Sequence, residues 1–112
     1  MSGVEKIAVE RKRQVEKEDW TEAHDDGHVD GELAMAAACY AAPEKIYVLD
    51  DSYIQRISFI DPWPWGEDWD KREYNGNVLL ANSRASKKKR IRQLVKAGAL
   101  IAAEIDRLER GK

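Results

Sequence analysis

The stretch from residue 83 to residue 110 limits the fold of this chain more than any other. Ile91, Leu94, Val95, Gly98, Ile101, Ala102, Ile105 and Leu108 recur there at i, i+3, i+4 and i+7. That spacing places side chains along one side of an α-helix. Ser83 or Ser86 can cap its start, and Gly111 follows its end. Gly98 lies on the apolar stripe, where glycine costs about 1 kcal/mol relative to alanine. A close neighbour at that point is therefore expected.

The natural partner is Leu33–Ala42, a run apolar on nearly every side that stops at Pro43. Such a helix is usually buried. Its alanines at 34 and 38 would fit against Gly98, and Asp25 or Asp26 would cap a helix running to Ala42. A first helix over residues 4–18 carries Val4, Ile7, Ala8, Arg11 and Val15 on one side among charged positions. It predicts a cover over the core.

Residues 43–82 lack this period. Ile46–Leu49 and Tyr53–Ile60 are rich in β-branched and aromatic residues, with Asp50-Asp51-Ser52 as a turn signal between them. A short β-hairpin is expected, with an irregular loop as the alternative. Residues 61–82 read as a loop punctuated by Pro62, Pro64 and Asn75-Gly76-Asn77, and carry Trp63, Trp65, Trp69 and Tyr74. Loops this long in a small domain are often functional. The fold class expected is mainly α: one small three-helix bundle over residues 1–112, with 43–82 as an irregular tryptophan-rich insertion.

Composition narrows the function. The chain has 112 residues, 43% hydrophobic and 36% charged, with a formal net charge of −2. That supports one modest core and gives no overall field selecting nucleic acid. Cys39 is the lone cysteine and sits in an apolar run, so a buried thiol and a reducing compartment are expected. No stretch approaches the roughly 20 apolar residues that span a bilayer. The N-terminus is charged early and lacks a signal-peptide core, so a cytoplasmic location is expected.

Three constellations could carry chemistry. His24, His28 and Glu32 are spaced by four and would face one way on a continuous helix. Two imidazoles and a carboxylate can hold a divalent metal, with Asp25, Asp26 or Glu104 completing the shell. The plainer alternative is a capping and turn segment, since Gly27 and Gly31 interrupt the helix. Lys87, Lys88, Lys89 and Arg90, with Arg84, Arg92 and Lys96, form a basic run at a helix N-terminus, where the macrodipole prefers anions. A bound phosphate would offset that, as would pairing with the acid-rich stretch Glu16 to Glu32. Trp63, Trp65 and Trp69 could stack on a base or anchor a partner, or they could fold back as a lid.

Trp20-Thr21, His24-Asp25-Asp26, His28, Gly31-Glu32-Leu33 and Cys39-Tyr40, with Leu94–Ile101 and Glu104–Leu108, resemble a family of small, mostly uncharacterised phage and prophage proteins. More distantly, the early motif is similar to the RyR repeat, although the His-Pro and Val-Pro-Tyr pieces of that repeat are absent. This resemblance implies that His24, Asp25, Asp26 and His28 line a cleft for a nucleotide or related small molecule. The phage setting implies a non-enzymatic accessory protein that binds a host protein or a nucleotide-derived signal and so counteracts a host defence. One alternative is a metal-dependent nucleotide hydrolase using His24, His28 and Glu32. Another is a homo-oligomer formed through the C-terminal helix.

Overall fold

The computed structural model describes residues 1–53, 56–72, 82 and 85–111. Among the described residues four α-helices and one hairpin follow in the order α1 (Gly3–Lys17), α2 (Glu22–Asp26), α3 (Glu32–Ala41), β1 (Val48–Tyr53), β2 (Arg56–Ile60) and α4 (Lys87–Arg110), with a 3₁₀ turn at Glu67–Trp69. The mainly α expectation holds, and so does the short antiparallel hairpin. The predicted second helix is instead two. Gly27 closes α2, and Gly31 opens α3 with φ 81°, a left-handed backbone that breaks any continuous helix.

Each helix boundary has a local cause. Ser2 caps α1, accepting from the Glu5 N–H while the Glu5 carboxylate returns the bond to the Ser2 N–H. Thr21 caps α2 through the His24 N–H. Ser86 caps α4 through the Lys89 N–H; Ser83, the other candidate, lies outside the described residues. α3 ends at Ala42, whose extended backbone precedes Pro43.

The core is α3 against α4, as the sequence predicts, but not through the predicted faces. Leu33, Ala36, Ala37 and Tyr40 meet Ala97, Leu100 and Ala103, with Trp20, Trp63 and Trp65 packed around them. Ala34 is exposed, so it does not meet Gly98. The inward side of α4 carries Gln93, Ala97, Leu100 and Ala103, whereas Leu94, Ile101, Ile105 and Leu108 stay exposed. α1 is turned part of the way: Ile7 and Arg11 of the expected side do face inward, onto Gly98 and Asp25. It buries Glu10 and Gln14 and leaves Val4, Ala8 and Val15 outside. The cause is charge pairing: Glu10 takes Arg13 at 2.8 Å and Arg92 at 2.7 Å. Two guanidiniums on one carboxylate fix which side of α1 turns inward.

The hairpin pairs Val48 with Ile60, Leu49 with Phe59 and Asp50 with Ser58, then shifts register before Tyr53 meets Arg56. Asp50-Asp51-Ser52 is therefore not the turn but part of β1. The Asp50 carboxylate accepts from the Ser52 N–H at 3.1 Å and from its hydroxyl, a local loop that disturbs the ladder. Tyr47, Leu49, Ile57 and Phe59 all point outward and are exposed. The radius of gyration, 14.9 Å, exceeds the roughly 13 Å of a compact chain this long, as projecting elements require.

Candidate functional site

The site starts where α1 ends. Asp19 takes φ 58°, a left-handed conformation that acidic residues tolerate better than most. The chain reverses there, and the Trp20 N–H returns to the Gln14 carbonyl at 3.0 Å. Trp20 is thereby delivered beside α2. Its indole lies against the imidazole of His24, with centroids 5.4 Å apart and planes 2° from parallel.

Both histidines are held by carboxylates. His24 Nδ1 is 2.9 Å from Asp25 Oδ1. Asp25 is fully buried, and its other oxygen accepts from Arg11 of α1 at 2.7 Å. His28 Nδ1 is 2.7 Å from Glu32 Oε2, while the other Glu32 oxygen takes the Asp30 N–H at 2.7 Å. The His28 bond, supported by that N–H, holds the Glu32 carboxyl below its ordinary range. The imidazole centroids are 4.8 Å apart. With Nδ1 occupied on each ring, Nε2 is the nitrogen left to meet a ligand.

The tryptophan segment folds back onto this pair. Trp65 sits 5.4 Å from His28 and 6.0 Å from Trp20. Trp63 stands edge-on to Trp65 at 5.6 Å and to Tyr40 at 5.5 Å. Arg72 fastens the segment. It bonds Asp61 at 2.9 Å and Asp70 at 2.7 Å, and its guanidinium lies over the Trp63 ring. The Lys71 N–H donates to the Tyr40 hydroxyl at 2.9 Å. Burial pushes that hydroxyl up to about 12, so it stays protonated.

These rings enclose a cleft of about 500 Å³ lined by Glu18, Asp19, Trp20, His24, His28, Trp65, Gly66 and Trp69. Its lining is mostly aromatic and includes two acids, Asp19 and a Glu18 that already pairs with Arg13 at 2.9 Å. The Trp65 indole N–H is buried and lacks an acceptor among the described residues. A second cavity of about 450 Å³ adjoins across Glu18, Trp20 and Trp69, and there Lys71 and Lys96 join Arg13, Glu10 and Asp68. The Lys96 amine is half-buried, lowered by that burial and then by Arg92, and lies over the Tyr40 ring.

Of the residues singled out by sequence, His24, His28, Trp65 and Trp69 come together at this cleft. Asp25 stands behind it as a support. Asp26 does not reach it, because it bonds Arg110 at 2.7 Å. Trp63 backs Trp65 and is not part of the lining. The basic cluster is elsewhere: Lys88 and Lys89 line a groove with Met1 and with Lys6 and Val9 of α1. Arg90 is occupied by the Tyr40 and Ala41 carbonyls at the end of α3. Lys87 is exposed, and Arg84 and Tyr74 lie outside the described residues.

The metal expectation meets a different arrangement. Glu32 is committed to His28 and Asp30, and Glu104 to Arg107. Among the described residues no three His, Cys, Asp or Glu side chains are grouped to hold a metal ion. Sequence reasoning missed Trp20 as a wall of the cleft. The signal was present in the four-residue spacing of Trp20, His24 and His28.

Cys39 is buried as expected, and burial raises its thiol to about 11, a poor nucleophile at neutral pH. No helix among the described residues is long and apolar enough to cross a membrane. Comparison of the chain with family models, with curated proteins and with solved structures gives no match.

Proposed function

We propose that this chain is a non-catalytic binding module whose cleft takes the flat ring of a nucleotide-derived ligand. The observation that carries this reading is the cleft itself: three indoles and two imidazoles, each imidazole pinned through Nδ1, around about 500 Å³. A nucleobase stacks on indole with a gain of about 1–3 kcal/mol per base. Its ring nitrogens or carbonyls would meet the imidazole Nε2 atoms. The acids in the cleft's lining, Asp19 above all, oppose a phosphate beside them. An anionic group on the ligand would turn toward Lys71 and Lys96 in the adjoining cavity. That replaces the Lys87–Arg90 run as the anion partner.

The choice of a nucleotide-derived ligand over other flat molecules rests on the likeness to RyR-type modules. The likeness to small phage proteins suggests a setting in which sequestering such a signal counteracts a host defence. The test is quenching of tryptophan fluorescence by nucleosides and nucleotides. Trp69→Ala, at a half-exposed position that the core does not need, should weaken binding at least tenfold. Lys87→Glu should leave it unchanged. Equal affinity in wild type and Trp69→Ala, or no quenching by any nucleoside or nucleotide, would sink the reading.

A further inference from the structure

We propose that α4 pairs with α4 of a second copy of this chain, antiparallel about a two-fold axis, through the aliphatic stripe that the fold leaves outside. Leu94, Ile101, Ile105 and Leu108 are 45%, 47%, 53% and 61% exposed. With Ile91 they keep the alternating three- and four-residue spacing of a coiled-coil seam over about 25 Å of helix, the position between Leu94 and Ile101 being Gly98, over which Ile7 of α1 supplies the aliphatic surface. Isolated exposed aliphatics are ordinary, whereas a continuous stripe marks an interaction surface. The inward face of α4 is already taken by α3 and α1.

Two observations select the same chain as occupant and fix its direction. The stripe is self-complementary when reversed. Ile91 then faces Leu108 of the other copy, Leu94 faces Ile105, and Ile101 meets the Ile7 that covers Gly98. A surface that matches itself under reversal is what a two-fold interface requires.

The second observation is charge. Lys87 and Lys88 are exposed at the start of α4. At its end Arg107 and Arg110 fold back onto Glu104 and Asp26 of their own chain, leaving Asp106 and Glu109 exposed. Each helix thus presents cations at one end and anions at the other. Antiparallel pairing sets opposite ends together and brings Lys88 beside Glu109, and the helix dipoles agree. Parallel pairing would set like charges together.

The experiment is sedimentation equilibrium of the intact chain from micromolar to near-millimolar concentration. A dimer is expected, and Ile105→Glu should convert it to a monomer with unchanged helical circular dichroism. Leu94→Asn, a smaller change at the other end of the seam, should weaken it as well. Lys88→Glu and Glu109→Lys should each weaken it about three- to tenfold, and the two together should restore it to within about twofold. A wild-type monomer at every concentration overturns the proposal. So does a dimer indifferent to Ile105→Glu, or a double charge reversal weaker than either single one. Trp69→Ala should leave association unchanged, so this test and the ligand test fail separately.

Discussion

Ile7 of α1 occupies the space that a side chain at Gly98 of α4 would need: a Cβ built on Gly98 would lie 2.5 Å from Ile7 Cδ1 and 2.8 Å from its Cγ1. Glycine is thus required here by the neighbouring helix and not by backbone angle. Gly98→Ala should gain about 1 kcal/mol of helix propensity and lose more to overpacking, about 1–3 kcal/mol. A net loss of about 1 kcal/mol in urea denaturation is expected. Ile7→Ala should abolish that penalty, so the double variant should be more stable than the sum of the singles. Strict additivity would contradict the contact.

Arg90 is expected to act as a clamp on α3. It donates to the carbonyls of Tyr40 and Ala41, while Asn82 donates to those of Cys39 at 2.9 Å and Ala42 at 2.7 Å. These are carbonyls that a helix end leaves without partners. Arg90→Met should cost about 2 kcal/mol of stability. Arg90→Lys should recover only part of it, because an ammonium lacks the planar fork. Chemical denaturation at neutral pH reads both.

Acid should weaken the α1–α4 contact through Glu10. Burial by itself would raise this carboxyl, but bonds from Arg13 and then Arg92 hold it below the ordinary value of 4.5. A group depressed in the folded state contributes its full stabilisation above its unfolded value. It loses that stabilisation as pH falls through the folded one. Stability should therefore fall below pH 4.5, and Glu10→Gln should flatten that part of the profile while lowering the plateau at neutral pH. The readout is the urea midpoint followed against pH in both proteins.

Asp25 is predicted to position His24. Fully buried between Arg11 and the imidazole, it cannot be neutralised without leaving the guanidinium poorly matched. Asp25→Asn should cost about 3 kcal/mol and loosen the ring stacked on Trp20. The ring proton shifts of His24, displaced by that indole in the wild type, should move toward random-coil positions. Unmoved shifts would show that Trp20 alone sets the ring.

The sequence announced the helices through spacing and boundary residues: Ser86, Pro43 and the glycines at 27 and 31 are local signals and act locally. The Ser2 cap went unread, and Asp25 and Asp26, expected as caps, lie inside α2, while Gly31 opens α3 without a side-chain cap. The sequence also announced that Leu33–Ala42 would meet the C-terminal helix. It did not announce which side of α1 and α4 turns inward. Periodicity assigns the aliphatic side to the core, and Ile7, Val95 and Gly98 do face inward, yet Glu10 with two arginines, and the narrow alanine surface of α3, turn both helices away from the rest of that side. Those are pairings between residues far apart in the chain. The cleft was half legible. His24 and His28 stood out by type, whereas Trp20 reaches them only because Asp19 reverses the chain, and the return of Trp65 depends on Arg72 gripping Asp61 and Asp70.

The two strands pair with each other and form no extended interface with any described helix, and their Leu49–Phe59 side looks onto solvent. Such a ribbon is marginal alone, so it should open and close without disturbing the α3–α4 centre. Its amides should exchange with deuterated water long before those of Ala36 or Leu100. A protease added sparingly should cut there first and leave two fragments that still travel together through a gel-filtration column.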